Sequence, residues 1–223
     1  YVWQYYDEYK ALGIEIEDNI KLINATNPNI ETIRRSIVPT QLCQVRTNTS
    51  YAPDFGVFEI GRTVNGINDD KLCDEHKKLC ITLFSKTKSL EKLYFELCTM
   101  LCVCADDIKH QKLDFKPMEA SHSYEHPRNL NSISCNGIDL GEIGIVHPSV
   151  SKKIDKKAAI VFAEIDVQAF AKIEDAGIHY KEPSRFPEIE VDLSFVSETF
   201  APIGKAIADT SCPLIQKVEV VDT

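Results

Sequence analysis

The dipeptide Asn136-Gly137 sits between Ile133-Ser134-Cys135 and an alternating run over residues 138–146, and no other feature restricts the fold as much. Asn and Gly accept the positive φ that a two-residue type I′ turn demands, so the flanking segments pair as an antiparallel hairpin. A second pair, Asn65-Gly66, follows the alternating segment Phe55-Gly56-Val57-Phe58-Glu59-Ile60-Gly61-Arg62. It predicts a hairpin whose returning strand is Leu79-Cys80-Ile81-Thr82-Leu83-Phe84, after a polar excursion over residues 69–78. Hairpins combined with helices laid on one face argue for an α+β fold around an antiparallel sheet, not a doubly wound parallel one.

The remaining elements follow from local signals. Residues 7–13 read as one or two helical turns closed by Gly13. Residues 20–23 are strand-like, residues 24–29 carry turn chemistry, and residues 30–37 fit a short helix. Pro39 suits the first turn of a new helix running towards Asn48. Ser89 caps the clearest helix, with Leu90, Leu93, Leu97 and Leu101 on one stripe. Strands follow at residues 113–116 and 158–165, and residues 172–180, with Gly177, read as a linker. Beyond it the pattern is strand (189–196), helix (201–209) and strand (215–221).

The formal net charge of −9 argues against a surface that wraps nucleic acid, because non-specific binding rests on Lys and Arg neutralising phosphates. Any such contact is local or supplied by a partner. No apolar run reaches the roughly 18 residues of a membrane span, and Tyr1-Val2-Trp3-Gln4-Tyr5 has no signal-peptide character. The aromatic opening suggests a chain that begins inside a larger protein. The eight cysteines lie mostly in apolar runs such as Leu101-Cys102-Val103-Cys104, which fits a reducing, cytoplasmic setting. Cys73-x-x-His76-x-x-x-Cys80 has zinc-like ligand types but no second pair nearby, so a hairpin end followed by a buried strand cysteine is the better reading and no metal is expected. Asn24-Ala25-Thr26 and Asn48-Thr49-Ser50 match glycosylation patterns without a secretory context.

Four segments occur in one order: Asn27-Pro28 with Ile33-Arg34-Arg35-Ser36-Ile37-Val38-Pro39; Phe58-Glu59-Ile60-Gly61-Arg62; His126-Pro127 with Gly141-Glu142-Ile143-Gly144-Ile145-Val146-His147-Pro148; and Tyr180-Lys181-Glu182-Pro183-Ser184-Arg185-Phe186-Pro187 leading to Asp192-Leu193. Together they resemble the phenylalanyl-tRNA synthetase beta chain over most of the sequence. The resemblance implies a degenerate class II synthetase-like core domain over residues 1–176. Residues 177–223 would open a ferredoxin-like anticodon-binding domain with a partial βαβ unit, whose further strand, helix and strand lie beyond residue 223.

Adenylate formation needs arginines on the nucleotide phosphates and carboxylates on magnesium. Catalytic relatives carry an Arg-x-Glu strand motif and a Gly-x-Gly-x-Glu-Arg motif. Here Val57 stands two residues before Glu59, and the second motif has no match. Gly141-Glu142-Ile143-Gly144 does not open a helix and reads as a bent strand rather than a phosphate loop. His126 and His147 each precede proline, which holds them extended; that structural role outweighs acid–base chemistry. Glu59 and Arg62 read as an ion pair or as hydrogen bonds orienting a strand end, and Arg34 and Arg35 as a surface pair able to meet a partner subunit or a tRNA phosphate. In the second domain Lys181, Arg185, Lys205 and Lys217 are the candidate tRNA contacts, although Glu190-Val191 stands where the family often places arginines.

The resemblance therefore implies a non-catalytic beta-chain portion that supports the catalytic alpha chain and tRNA, with ATP and magnesium used at the alpha subunit and no cofactor bound by these residues. The rivals are a divergent ATP-dependent amino-acid ligase, disfavoured by the missing arginines, and a stand-alone interaction module.

Overall fold

The structure is a computed structural model that describes residues 6–15 and 20–178 and the single positions 180, 182, 189, 191 and 194. The chain divides into two units, Tyr1–His179 and Tyr180–Thr223, and all the strands and helices named below belong to the first. The elements predicted beyond residue 188 lie outside the described residues, apart from isolated positions.

The strands are β1 (Asp54–Ile67), β2 (Cys73–Ser85), β3 (Asp114–Pro117), β4 (Glu125–Cys135), β5 (Ile138–Val146) and β6 (Ala159–Asp166). They form one six-stranded sheet in the order β1-β2-β6-β5-β4-β3, with every neighbouring pair antiparallel. The helices are α1 (Tyr6–Leu12), α2 (Val38–Asn48), α3 (Leu90–Lys109), α4 (Pro148–Ile154) and α5 (Val167–Ala171). The protein is thus α+β with an antiparallel sheet, and helices cover both faces instead of one. Tyr9, Leu12, Leu42 and Val150 of α1, α2 and α4 pack with Phe84, Ile160 and Phe162. On the opposite face Leu93, Leu97 and Leu101 of α3 pack with Ile133, Ile143 and Val161. The alternation of β6, Ile160 and Phe162 one way and Val161 and Ala163 the other, is the period of two that an extended strand imposes.

Local chemistry explains the elements that match expectation. Ser89 sits in extended conformation before α3 and its hydroxyl accepts the Lys92 amide at 3.2 Å, while His110 ends the helix in the left-handed region with φ 52°. Leu93, Leu97, Leu101 and Ala105 are buried at a spacing of four, whereas Leu90 is 43% exposed and falls outside the stripe. Replacing the cap, Ser89→Ala, is expected to cost about 1 kcal/mol in urea unfolding, with Ser89→Asp retaining most of the stability. A loss below a few tenths of a kcal/mol would show that α3 is held by its packing alone. Asn136 and Gly137 have φ 51° and 78°, the type I′ signature, and join β4 to β5.

Four expectations are corrected. Neither Asn65 nor Gly66 has positive φ; both lie within β1, where the pairing skips a step between Val64 and Ile67. The turn falls instead at residues 68–72, where the Lys71 amide bonds to the Asn68 carbonyl and Lys71 supplies the left-handed residue at φ 66°. Residues 20–23 make only an isolated bridge, Lys21 to Thr32, and residues 30–37 hold no α-helix beyond a 3-10 turn at Pro28–Ile30. Their amides bond sideways: Ile33 to the Ile20 carbonyl and Leu22 to the Glu31 carbonyl. The linker begins later than residue 172, because Ile173 is buried and the Ala176 amide and the Ile173 carbonyl both bond to Lys109.

Candidate functional site

Because side chains alternate across a strand, antiparallel register lines up residues into rows that run across the sheet. One row crosses all six strands: Glu59, Cys80, Glu164, Glu142, Ser132 and Lys116. It lies on the α1, α2 and α4 face, at the polar end of that face. Lys78 precedes Cys80 by two residues in β2 and shares its side. Gly141 fixes the middle of the row: at φ 137°, a Cβ there would lie 2.1 Å from the Glu164 carbonyl oxygen, so only glycine lets β5 lie this close to β6. The strand bends at this point, as its sequence suggests, with a register shift between Ile133 and Ser134.

Two carboxyl groups therefore face each other, Glu142 against Glu164. Glu164 is 5% exposed and fully satisfied. Its Oε1 accepts the Ile37 amide at 2.6 Å and the Ser36 hydroxyl at 3.0 Å, and its Oε2 accepts Lys78 Nζ at 2.8 Å. Glu142 is different: among the described residues none bonds to its carboxyl. Burial, then the charges of Glu125 and Glu164, push its pKa from 4.5 up to about 8, against an opposing pull from Lys78. Glu125 is wholly buried; its Oε2 accepts the Ser121 and His122 amides at 2.7 and 2.9 Å, while its Oε1 has no hydrogen-bond partner.

Glu142 and Glu164 floor a cleft of about 410 Å³ bordered by Arg35, Ser36, His122 and Tyr124. The His122 ring stacks on Tyr124 at 5.2 Å, and the Tyr124 hydroxyl donates to Ser36 at 3.3 Å.

The predicted site residues are dispersed. Arg34 is 1% exposed, not on the surface: its Nη2 donates to Glu59 Oε1 at 2.5 Å and its Nε to the Arg62 carbonyl at 3.2 Å. Arg35 is exposed and stands at the cleft's edge, its carbonyl bonded by Lys78. Glu59 thus pairs with Arg34, while Arg62 pairs across the hairpin with Glu75 at 3.1 Å in solvent. Lys181, Arg185, Lys205 and Lys217 lie outside the described residues. His147 caps α4, its Nδ1 accepting the Ser149 amide at 3.1 Å, and His126 accepts the Arg128 amide at 3.2 Å. In β2, Cys73 points to the face opposite His76 and Cys80; His76 bridges Asp74 and Asp166. Among the described residues no helix is long and apolar enough to cross a membrane.

Glu142, Glu164 and Lys78 do not stand out in the sequence as site residues. Glu164 carried a usable signal, since an acid inside the otherwise apolar Ala159-Ile160-Val161-Phe162-Ala163-Glu164-Ile165 must have a partner if the strand is buried.

Comparison with known proteins identifies the family. Residues 5–167 match the profile of the phenylalanyl tRNA synthetase beta chain CLM domain. The phenylalanine–tRNA ligase beta subunit of Aquifex aeolicus is 22% identical over 96% of this chain and 27% of its own length. That of Bacillus subtilis is 25% identical over 97% of this chain and 28% of its own length, and that of Syntrophus aciditrophicus 26% over 81% and 24%. The chain thus spans about a quarter of each relative. With the family profile covering the greater part of its length, the chain belongs to the phenylalanyl tRNA synthetase beta chain CLM domain family.

Proposed function

We propose that this chain is a non-catalytic core portion of a phenylalanine–tRNA ligase beta subunit, acting in the cytoplasm. It supports a catalytic alpha subunit and the tRNA, while ATP and magnesium are used on the alpha subunit. In this reading the six-stranded sheet is a degenerate class II synthetase-like core over residues 1–176. Residues 177–223 begin a ferredoxin-like anticodon-binding domain, with Lys181, Arg185, Lys205 and Lys217 facing the tRNA backbone.

The observation that carries the non-catalytic part is how the cations near the cleft are used. Arg34 is sealed beneath Glu59 outside the cleft lining and Lys78 is held by Glu164, which leaves the exposed Arg35 at the rim as the one arginine bordering the cleft among the described residues. The floor then presents Glu142 beside Glu164, the same sign as a triphosphate. Magnesium fares no better, since both Glu164 oxygens already accept hydrogen bonds and Glu142 is protonated at neutral pH. The residues present do not fit a nucleoside triphosphate and its metal. The test is phenylalanine-dependent exchange of pyrophosphate into ATP by the purified chain, with co-purification of a co-expressed alpha subunit as the companion readout. Exchange is expected at the level of a blank, with the alpha subunit retained. Exchange well above blank that Lys78→Met abolishes would overturn the reading, as would failure to retain the alpha subunit.

A further inference from the structure

Positive charge is concentrated at one place on this acidic chain. Against a formal net charge of −9, the stretch Lys152-Lys153-Ile154-Asp155-Lys156-Lys157 closes α4 and leads towards β6 with four lysines and one acid. Lys152 and Lys153 sit in the last turn of α4, where cations favour the negative end of the helix dipole. Lys156 and Lys157 lie beyond the helix and have no such reason to be basic. All four are exposed, and none has an ion pair among the described residues. Lys153 reaches back to the end of α1, where a Cβ on Gly13 would lie 2.1 Å from its Nζ.

The turn that carries them is braced. The Asp155 amide bonds to the Ser151 carbonyl at 2.9 Å, and the Ser151 hydroxyl donates to the Ala158 carbonyl at 3.4 Å. The one acid in the stretch is used inward: Asp155 Oδ1 accepts the Lys157 amide at 2.8 Å, and its Oδ2 pairs at 3.1 Å with Lys86 Nζ, which also reaches the Thr49 carbonyl at the end of α2. Asp54, at the start of β1, likewise spends its oxygens on the Ser85 and Thr87 hydroxyls. What faces solvent is a ridge of ammonium groups on a fixed backbone. Ile154 and Ala158 pack against the core, so the ridge has no apolar side chain to insert into a bilayer. Ammonium groups without an apolar anchor suit a phosphate backbone, which they position without reading sequence. We propose that this lysine ridge docks the phosphate backbone of RNA and is a point of contact with tRNA. The inference rests on the beta-subunit reading and adds a contact within residues 1–179 to the candidates beyond residue 180.

The test is fluorescence anisotropy of a labelled tRNA transcript titrated with the full chain over a series of salt concentrations. Binding in the micromolar range is expected at about 50 mM salt. Replacing Lys152, Lys153, Lys156 and Lys157 together by Gln should weaken it about tenfold or more and flatten the slope of log affinity against log salt by about 3, because each phosphate contact contributes about 0.7–0.9. The matching Lys→Arg set keeps the charges and should bind as wild type does. A second Lys→Gln set at Lys71, Lys92, Lys112 and Lys172, all exposed and scattered over other elements, removes the same charge and should leave affinity within about twofold. Unfolding midpoints in urea establish that each variant is folded. The proposal is overturned if wild type does not bind tRNA, if the ridge variant binds equally with an unchanged slope, or if the scattered set weakens binding as much as the ridge set. Binding to vesicles of phosphatidylserine and phosphatidylcholine without binding to tRNA would also overturn it, and would identify a membrane as the partner. Retention of the alpha subunit is measured separately, so its failure would strike the beta-subunit reading and leave the ridge result standing.

Discussion

Arg34→Met is expected to destabilise the protein by about 3–5 kcal/mol in urea unfolding, because it removes one partner of a buried ion pair and leaves the other. Arg34 is 1% exposed and fastens the segment before α2 to β1 in three ways. Its Nη2 reaches Glu59, its Nε reaches the Arg62 carbonyl, and its own carbonyl accepts the Val64 amide at 3.0 Å. Gly61 makes room for the pair, since a Cβ there would lie 2.3 Å from Nη2. Methionine fills similar volume and keeps the backbone bond, but strands Glu59, whose side chain is only 23% exposed. Most of the cost is that uncompensated carboxylate, so the double variant Arg34→Met with Glu59→Leu should recover to within about 1 kcal/mol of wild type. Arg34→Lys should remain damaging, because an ammonium cannot serve Glu59 and the Arg62 carbonyl from one planar fork. A single-variant loss below about 1 kcal/mol, or no recovery in the double variant, would show that the ion pair does not join these segments.

The same residue marks where sequence reading stops. The helix after Ser89, the hairpin at Asn136-Gly137 and the strand around Phe58-Glu59-Ile60-Gly61-Arg62 were legible because their determinants are local: a cap, a positive-φ turn, an alternation. Arg34 read as a surface residue because nothing beside it in sequence announces Glu59, 25 positions away. Asn65-Gly66 has ideal turn composition, yet the strand runs through it. The register skips over Asn65 and Gly66 and resumes with Ile67 opposite Cys73, which holds β1 to β2 past that point, and the chain turns only at residues 68–72. Tertiary pairing outweighed local propensity there. The cleft was the least legible part of all. Glu142 and Glu164 meet only because β6, which follows α4, inserts between β2 and β5, and no local pattern encodes that strand order.

Glu142→Gln should stabilise the protein, and the gain should depend on pH in a defined direction. The Glu142 carboxyl titrates near 4.5 when unfolded and at about 8 in the folded chain. Below pH 4.5 both states hold the proton and the side chain contributes nothing to pH dependence. Between pH 4.5 and about 8 the folded state binds the proton and the unfolded state does not, so stability falls as pH rises; above about 8 the deficit is complete. A shift from 4.5 to about 8 sets a ceiling of about 5 kcal/mol at 1.4 kcal/mol per unit, and partial contact with solvent at the cleft reduces it to roughly 2–4 kcal/mol. Glutamine keeps the shape and cannot ionise, so it escapes this loss. Comparing variant and wild type by urea unfolding across pH 4 to 9 cancels the titration of the other groups. The difference should be near zero at the acid end, grow steadily through neutrality, and level off above pH 8. A difference that stays flat would mean that Glu142 titrates as an ordinary carboxylate, and with it would go the protonated cleft floor on which the exclusion of magnesium depends.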